Sequence, residues 1–397
     1  MTKSKQKKGG CGCCSIPISV LILGLGLGIW GWTKLHDLGV PQAVLSYAVQ
    51  QIPLEDFLPD FIPLASPTDP PIVNASPSPQ ATAPSTILSP IPAVTTSPTS
   101  PRQQEQNLRG IYISRYQITN NASEQMIRER VRYYRSKGIN TIIHGVWGNA
   151  CTMYPSEVMA KTFNSRSCPN QFQDQWLDWL IDEAHKQGME VHAYFEKGIK
   201  IDEDSPLFDL AVQRRWIVAG VDRTHPGVDH YVLDVSVPEV AQYMTDILVE
   251  FVQKYPQIDA VQWDDYLGYH AELPGQVDRT EKLTNFVQNM IEAMREANPN
   301  VSFDLAHHNP YWAKQYFAAD WENWDIDRAF IQVYAEENFQ DEMKYVEASN
   351  GIAITERQFN QLENLVKNPR VESILLFPLS GKPEEMAATY YDLVQGF

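Results

Sequence analysis

From Leu108 to the end of the chain, short apolar runs alternate with segments whose apolar residues recur every three or four positions. The first pattern is that of buried strands, the second that of amphipathic helices. The strand-like runs are RGIYIS (109–114), TIIHGVWG (141–148), EVHAYFE (190–196), DAVQWDD (259–265), VSFDLA (301–306), AFIQVY (329–334), GIAIT (351–355) and ESILLFP (372–378). Helical patterns are expected near 124–136, 174–187 (stopped by Gly188), 238–254 and 280–297, with others between the later strands. A long insertion, roughly 197–233, follows the third strand. Eight strand–helix pairs in about 290 residues predict an α/β fold, a (β/α)8 TIM barrel. A doubly wound open sheet alternates too, but it normally has fewer strands, and no Gly-rich phosphate loop follows the first strand.

Before Leu108 the pattern changes. Residues 1–14 are polar and basic and carry Cys11, Cys13 and Cys14; these lack a fourth ligand at zinc spacing and stay unassigned. Ser15 to Trp32 (SIPISVLILGLGLGIWGW) is apolar and uncharged. About 18 residues is the lower bound for a membrane-spanning helix. No Ala-x-Ala site follows it, and the cysteines precede it, so cleavage as a secretory or lipoprotein signal does not fit. Residues 15–33 are therefore expected to be an uncleaved transmembrane signal anchor. The basic start stays inside, and the rest of the chain lies on the periplasmic, extracytoplasmic side of the inner (plasma) membrane. Gly24 and Gly28 form a GxxxG spacing that suits a helix-mediated dimer, although low complexity accounts for it equally well. Residues 34–107 read as a juxtamembrane segment and a disordered linker. Pro, Ser, Thr and Ala dominate it from Pro63 to Pro101, and at roughly 3 Å per residue such a stretch reaches on the order of 100 Å. The barrel is assigned to 108–397.

Charge narrows the partners. Six basic and six acidic residues cancel before Leu108, so the net charge of −17 belongs to the barrel. Nucleic acid needs a basic face and is excluded as a partner. Neutral sugars suit an acidic, aromatic-rich domain better. Cys151 and Cys168, on the oxidising side of the membrane, are disulfide candidates.

In a barrel the chemistry sits at the C-terminal ends of the strands. Those ends supply Trp147, Glu196, Asp264 and Asp265, the run His307-His308-Asn309, and Tyr334 with Glu336 and Glu337 beyond it. Carboxylates on several strand ends are what glycosidic cleavage requires: one protonates the leaving oxygen, another stabilises or attacks the anomeric carbon. Alternation in VQWDD puts Gln262 and Asp264 on one face and Trp263 and Asp265 on the other. Strand three presents His192, Tyr194 and Glu196 on one face. The two histidines lack ligand spacing, so no metal and no cofactor is expected.

Four ordered blocks carry a resemblance. GINTIIHGVWGNACTMYPSEV, DEAHKQGMEVHAYFE, IDAVQWDDYLG and FIQVY resemble the conserved blocks of the family-10-like glycosyl hydrolases, a (β/α)8 group of bacterial, often exported proteins. The resemblance covers Leu108 to Phe397. It implies hydrolysis of a polysaccharide, with peptidoglycan glycan strands the substrate suggested for some relatives. It places Glu196, Asp264 and Asp265 at the family's acidic strand ends as catalytic residues. Trp147, His192, Tyr194, Gln262, His307, Asn309, Gln332, Tyr334 and Glu336 are the substrate-binding candidates. By analogy with α-amylase-like barrels, Asp264 is the expected nucleophile. Ala335-Glu336 after strand six and HHNP after strand five depart from the family pattern. A non-catalytic glycan-binding barrel, or a hydrolase or transglycosylase of another polysaccharide, are the alternative readings.

Overall fold

The computed structural model describes residues 107–118, 121–169, 171–223, 228–270, 273 and 279–396. The expected anchor, juxtamembrane segment and linker lie outside the described residues, as do Cys11, Cys13 and Cys14. Among the described residues, no helix is long and apolar enough to cross a membrane.

Eight parallel strands close on themselves: β1 Arg109–Ile113, β2 Thr141–Gly148, β3 Glu190–Phe195, β4 Ala260–Trp263, β5 Ser302–His307, β6 Arg328–Gln332, β7 Gly351–Ile354 and β8 Ser373–Leu376. Closure is made by β1, which pairs with β8 (Gly110 opposite Leu375) and with β2 (Ile111 opposite Ile142). The barrel helices are α1 Glu124–Ser136, α2 Trp176–Lys186, α3 Pro238–Lys254, α4 Thr280–Ala297, α5 Pro310–Phe317, α6 Phe339–Met343, α7 Leu362–Lys367 and α8 Pro383–Val394, one after each strand. The fold is a (β/α)8 barrel.

Local chemistry starts and stops these helices. Ser123 caps α1, its hydroxyl accepting from the Met126 amide at 3.3 Å, and Pro238 opens α3 with its φ already helical. Gly138 (φ +75°) and Gly188 (φ +66°) follow α1 and α2 in the left-handed conformation that ends a helix at no Cβ cost. The buried faces repeat at helical spacing, as in Ile127, Val131 and Tyr134 of α1.

Two apolar cores result. The larger lies between strands and helices; the smaller fills the barrel lumen with Leu108, Tyr112, Ile143, Tyr194, Ala306, Phe330, Ala353 and Leu375. Below that plug, at the N-terminal ends of the strands, the lumen is polar. There Arg328 donates to both oxygens of Asp304 (3.0 and 2.9 Å), and the His192 ring nitrogens lie 3.1 Å from Gln262 Oε1 and 2.9 Å from Glu190 Oε2.

The loop after β2 turns back as a short strand, Cys151–Thr152, antiparallel to β2. Cys151 is disulfide-bonded to Cys168, with their Cα atoms 5.2 Å apart. A bridge across a sequence separation of 17 residues constrains the unfolded chain by about 3 kcal/mol. Reductant is therefore expected to lower the thermal midpoint of the purified protein by several degrees. A midpoint that does not move would show that the bond contributes nothing to stability.

Candidate active site

Strand alternation builds the site from β4 outward. Gln262 points into the lumen, where its amide donates to Tyr112 Oη at 2.9 Å. Trp263 points outward and stacks on Phe195 at 4.6 Å. Asp264 turns inward again, now at the mouth of the barrel.

Asp264 is buried, 6% exposed. The Tyr194 hydroxyl donates to its Oδ2, and the Tyr266 amide donates to its Oδ1 at 3.0 Å. Burial, reinforced by the neighbouring Asp265 charge, pushes its pKa up to about 8; the Tyr194 and Tyr266 hydrogen bonds and the Lys200 charge pull the other way without reversing this. Asp265 is only partly buried, and its Oδ1 accepts from the Gln332 amide at 3.1 Å. Burial works against its ionisation, but His308 and Lys200 more than offset that, and its pKa falls below the ordinary aspartate value. Burial and mutual repulsion thus favour a proton on the deeper carboxyl over one on its more exposed neighbour. Tyr334 stacks on Phe377 (5.5 Å) beside both aspartates, and burial raises its phenol pKa well above the usual range.

Glu196 follows β3 and forms an ion pair with the buried Arg115 guanidinium at 2.9 Å. The Ser114 hydroxyl (3.2 Å) and the Arg115 amide (3.3 Å) donate to the same carboxylate. Its side chain keeps 19% exposure, so it is fixed yet accessible. Tyr194 lies within electrostatic range of both Glu196 and Asp264.

Residues 107–278 match the family model described as "Glycosyl hydrolase-like 10". This segment is similar to that family. The chain is also 30% identical over 228 residues to the glycosyl hydrolase DigH of Escherichia coli strain K12, and equally to that of Shigella flexneri. The match takes in 49% of this chain and 49% of theirs, so the chain spans about half the length of these curated relatives. Among solved structures, the GH36 α-galactosidase AgaA of Geobacillus stearothermophilus is similar at 13% identity, with 72% of this chain and 42% of that one covered and a TM-score of 0.42. The Nostoc punctiforme debranching enzyme is similar at 11% identity, with 74% and 81% covered and a TM-score of 0.43.

The matched segment contains Glu196, Asp264 and Asp265, and Gln332, whose amide donates to Asp265, and Tyr334 join them at the mouth from the end of β6. Other expected binding residues lie elsewhere. Trp147 is wholly buried outside the lumen, its indole donating to the Gly198 carbonyl at 3.1 Å. His192 and Gln262 are fully buried below the mouth, engaged with each other. Asn309 is the N-cap of α5, accepting from the Trp312 amide at 3.0 Å, while its own amides donate to Glu342. All four are buried and hydrogen-bonded within the protein. Glu336 is exposed beyond the mouth. His307 is buried beside Phe317, and burial pushes its pKa down to about 3. Its Nδ1 accepts from the His308 amide at 2.8 Å, which assigns the remaining proton to Nε2. His308 donates to Glu342 at 2.8 Å; burial lowers its pKa, but Glu342 and Asp265 raise it further, so the net shift is upward. Among the described residues, no cluster of His, Cys, Asp and Glu is arranged to hold a metal ion.

Ser114, Arg115, Lys200 and Glu342 shape this site without having been singled out from the sequence. Arg115 follows strand one at the position where the other strand ends were read for chemistry, so that reading extended by one strand would have included it. Lys200 falls in the insertion after β3, where no periodic pattern points to it.

Proposed function

We propose that the chain is a membrane-anchored glycoside hydrolase of cell-envelope glycan, with peptidoglycan glycan strands as its substrate. The observation that carries this reading is the convergence of Glu196, Asp264 and Asp265 at the C-terminal mouth of a glycosyl hydrolase-like barrel. Two adjacent carboxyls whose proton affinities are driven apart supply an acid and a base from one strand end. Asp264, which retains its proton, is the donor to the leaving oxygen. Asp265, ionised and more exposed, is the carboxylate that faces the developing oxocarbenium charge. This reverses the role expected for Asp264 from the α-amylase analogy, because a buried carboxyl that keeps its proton is a poor nucleophile. Glu196, held by Arg115, fixes a sugar hydroxyl at the rim. Tyr334 and Gln332 line the opposite side.

The cellular placement rests on the sequence. An uncleaved anchor at 15–33 with a Pro-rich spacer would let the barrel reach an insoluble polymer from the inner membrane. The Cys151–Cys168 bridge suits an oxidising compartment.

The test is to incubate the full chain, solubilised from membranes, with peptidoglycan strands stripped of stem peptides and, in parallel, with an α-glucan. New reducing ends from the stripped strands, absent with Asp265→Asn, are the expected result. Release from the α-glucan alone would replace the substrate. Binding to the strands with no release from either polymer would leave a glycan-binding barrel.

A further inference from the structure

The insertion after β3 carries a buried ion pair that the proposed chemistry does not use. Its two-residue strands, Lys200–Ile201 and Tyr231–Val232, pair antiparallel. Lys200 is 1% exposed, and its Nζ lies 2.8 Å from Asp222 Oδ2, whose side chain is fully buried. The same ammonium lies 4.3 Å from the centre of the Tyr266 ring and 5.9 Å from that of Phe317.

Tyr266 belongs to the turn that bears the two aspartates. Its amide donates to Asp264 Oδ1 at 3.0 Å, and the Leu267 amide closes the turn on the Asp264 carbonyl at 2.9 Å. The insertion grips this turn from the other side, because the Ile199 amide donates to the Tyr266 carbonyl at 3.1 Å. Gly198 makes the approach feasible. Its φ is +46°, and a Cβ there would lie 2.4 Å from the Tyr266 carbonyl oxygen. Backbone and ring thus meet the catalytic turn at consecutive residues.

A buried ion pair is weak evidence for stability, since a well-packed apolar pair does as well or better. Here the cation has a second consequence. The groups that interact with Asp265 include Asp264, His307, His308, Tyr266, Tyr334 and Lys200. Of these, His307 is held neutral by burial. The groups that favour ionisation of Asp265 are then His308 first and Lys200 second. Lys200 itself meets Asp222, His230 and the two aspartates.

We propose that Lys200 is a positioning residue for the Asp264–Asp265 pair: pinned by Asp222, its ammonium braces the Tyr266 turn beneath the carboxyls and supplies positive potential at Asp265. The insertion is then part of the acid–base apparatus. This deepens the proposed function and rests on it for its meaning, while its test does not require turnover.

The test follows the carboxyl titration of the full chain by NMR, with 13C at the aspartate side-chain carboxyls and Asp265 assigned by its loss in Asp265→Asn. Lys200→Met is expected to move the Asp265 midpoint up by about one pH unit. The double variant Lys200→Met/Asp222→Asn, which strands no buried charge, is expected to do the same, and Lys200→Arg to restore the parent midpoint. If the parent hydrolyses glycan, the acidic limb of its pH–rate profile should move with the midpoint, and kcat should fall more than KM changes. An Asp265 midpoint unmoved in the folded double variant would overturn the proposal. A parent without turnover whose midpoint still moves would leave this proposal standing and remove the proposed function instead.

Discussion

Replacing Asp264 with Asn is expected to lower kcat for glycan hydrolysis by about 10²–10⁴-fold, the usual contribution of a positioned general acid, and at the same time to stabilise the protein. The two effects have one cause. The carboxyl sits 6% exposed between Tyr194 and Tyr266, beside a second carboxyl. That setting keeps a proton on it up to about pH 8, which is useful in an acid and unfavourable in a fold. The sign follows from linkage. A carboxyl whose pKa rises from 3.8 to about 8 on folding binds more protons folded than unfolded between those limits. Its contribution to stability is fully present below the unfolded value and is lost as pH rises through that window. Asn removes the loss and keeps much of the shape.

Thermal midpoints recorded from pH 4 to 9 should fall with pH across this window in the parent and fall less steeply in Asp264→Asn. Near neutral pH the variant should melt higher by several degrees. In the parent, the rate should decline above about pH 8 as the acid loses its proton. A variant that retains full activity would remove Asp264 from the chemistry. A variant that is inactive but no more stable, with the same pH slope as the parent, would show that burial does not hold the proton there.

How much of this was legible in the sequence depends on the range of the interaction. Strands buried on both faces read as apolar runs, and helices between them repeat at their own period, so the barrel follows from local pattern. Alternation in VQWDD turns Gln262 into the lumen and Trp263 out of it, as observed, but Asp265, expected on the Trp263 face, lies at the mouth with Gln332 because the strand ends at Trp263. The same rule gave no help with Trp147. All eight residues of β2 are buried, so nothing in the run says which way its indole faces. Asn309 carried a local signal that went unused, since Asn before Pro310 is a helix start and its side chain is the cap. Arg115 with Glu196 and His308 with Glu342 pair across 81 and 34 residues. Lys200 meets Asp222 through an insertion fold with no repeating pattern. Such pairs depend on tertiary placement, and a single sequence does not display them.

The second large effect is expected at the other end of the lumen, where Asp304→Ala should destabilise the protein by about 3–5 kcal/mol, the cost of removing one partner from a buried ion pair. Asp304 is fully buried and accepts from Arg328 twice, at 3.0 and 2.9 Å, and from Ser302 Oγ at 2.6 Å. Its Oδ2 also lies 3.5 Å from His192 Nδ1. Truncation leaves the Arg328 guanidinium, 16% exposed, with Glu190 as its remaining carboxylate at 3.3 Å. Burial raises the cost of ionising Glu190, but His192 and Arg328 outweigh it and bring its pKa down to about 2 from the ordinary 4.5. A depressed carboxylate contributes stability that is present above the unfolded value and lost as pH falls toward the folded one. Denaturant unfolding of Asp304→Ala is best read at neutral pH, where the Glu190 contribution is fully present. Asp304→Leu/Arg328→Met, which leaves no unpaired charge between these positions, should recover much of the lost stability. Because this cluster lies beneath the apolar plug, turnover of Asp304→Ala well below its melting temperature should match the parent. A deficit under about 1 kcal/mol would mean that water reaches the base of the barrel and screens the pair. A lost rate in a folded variant would instead mean that the lumen transmits this charge to the mouth through His192, Gln262 and Tyr112.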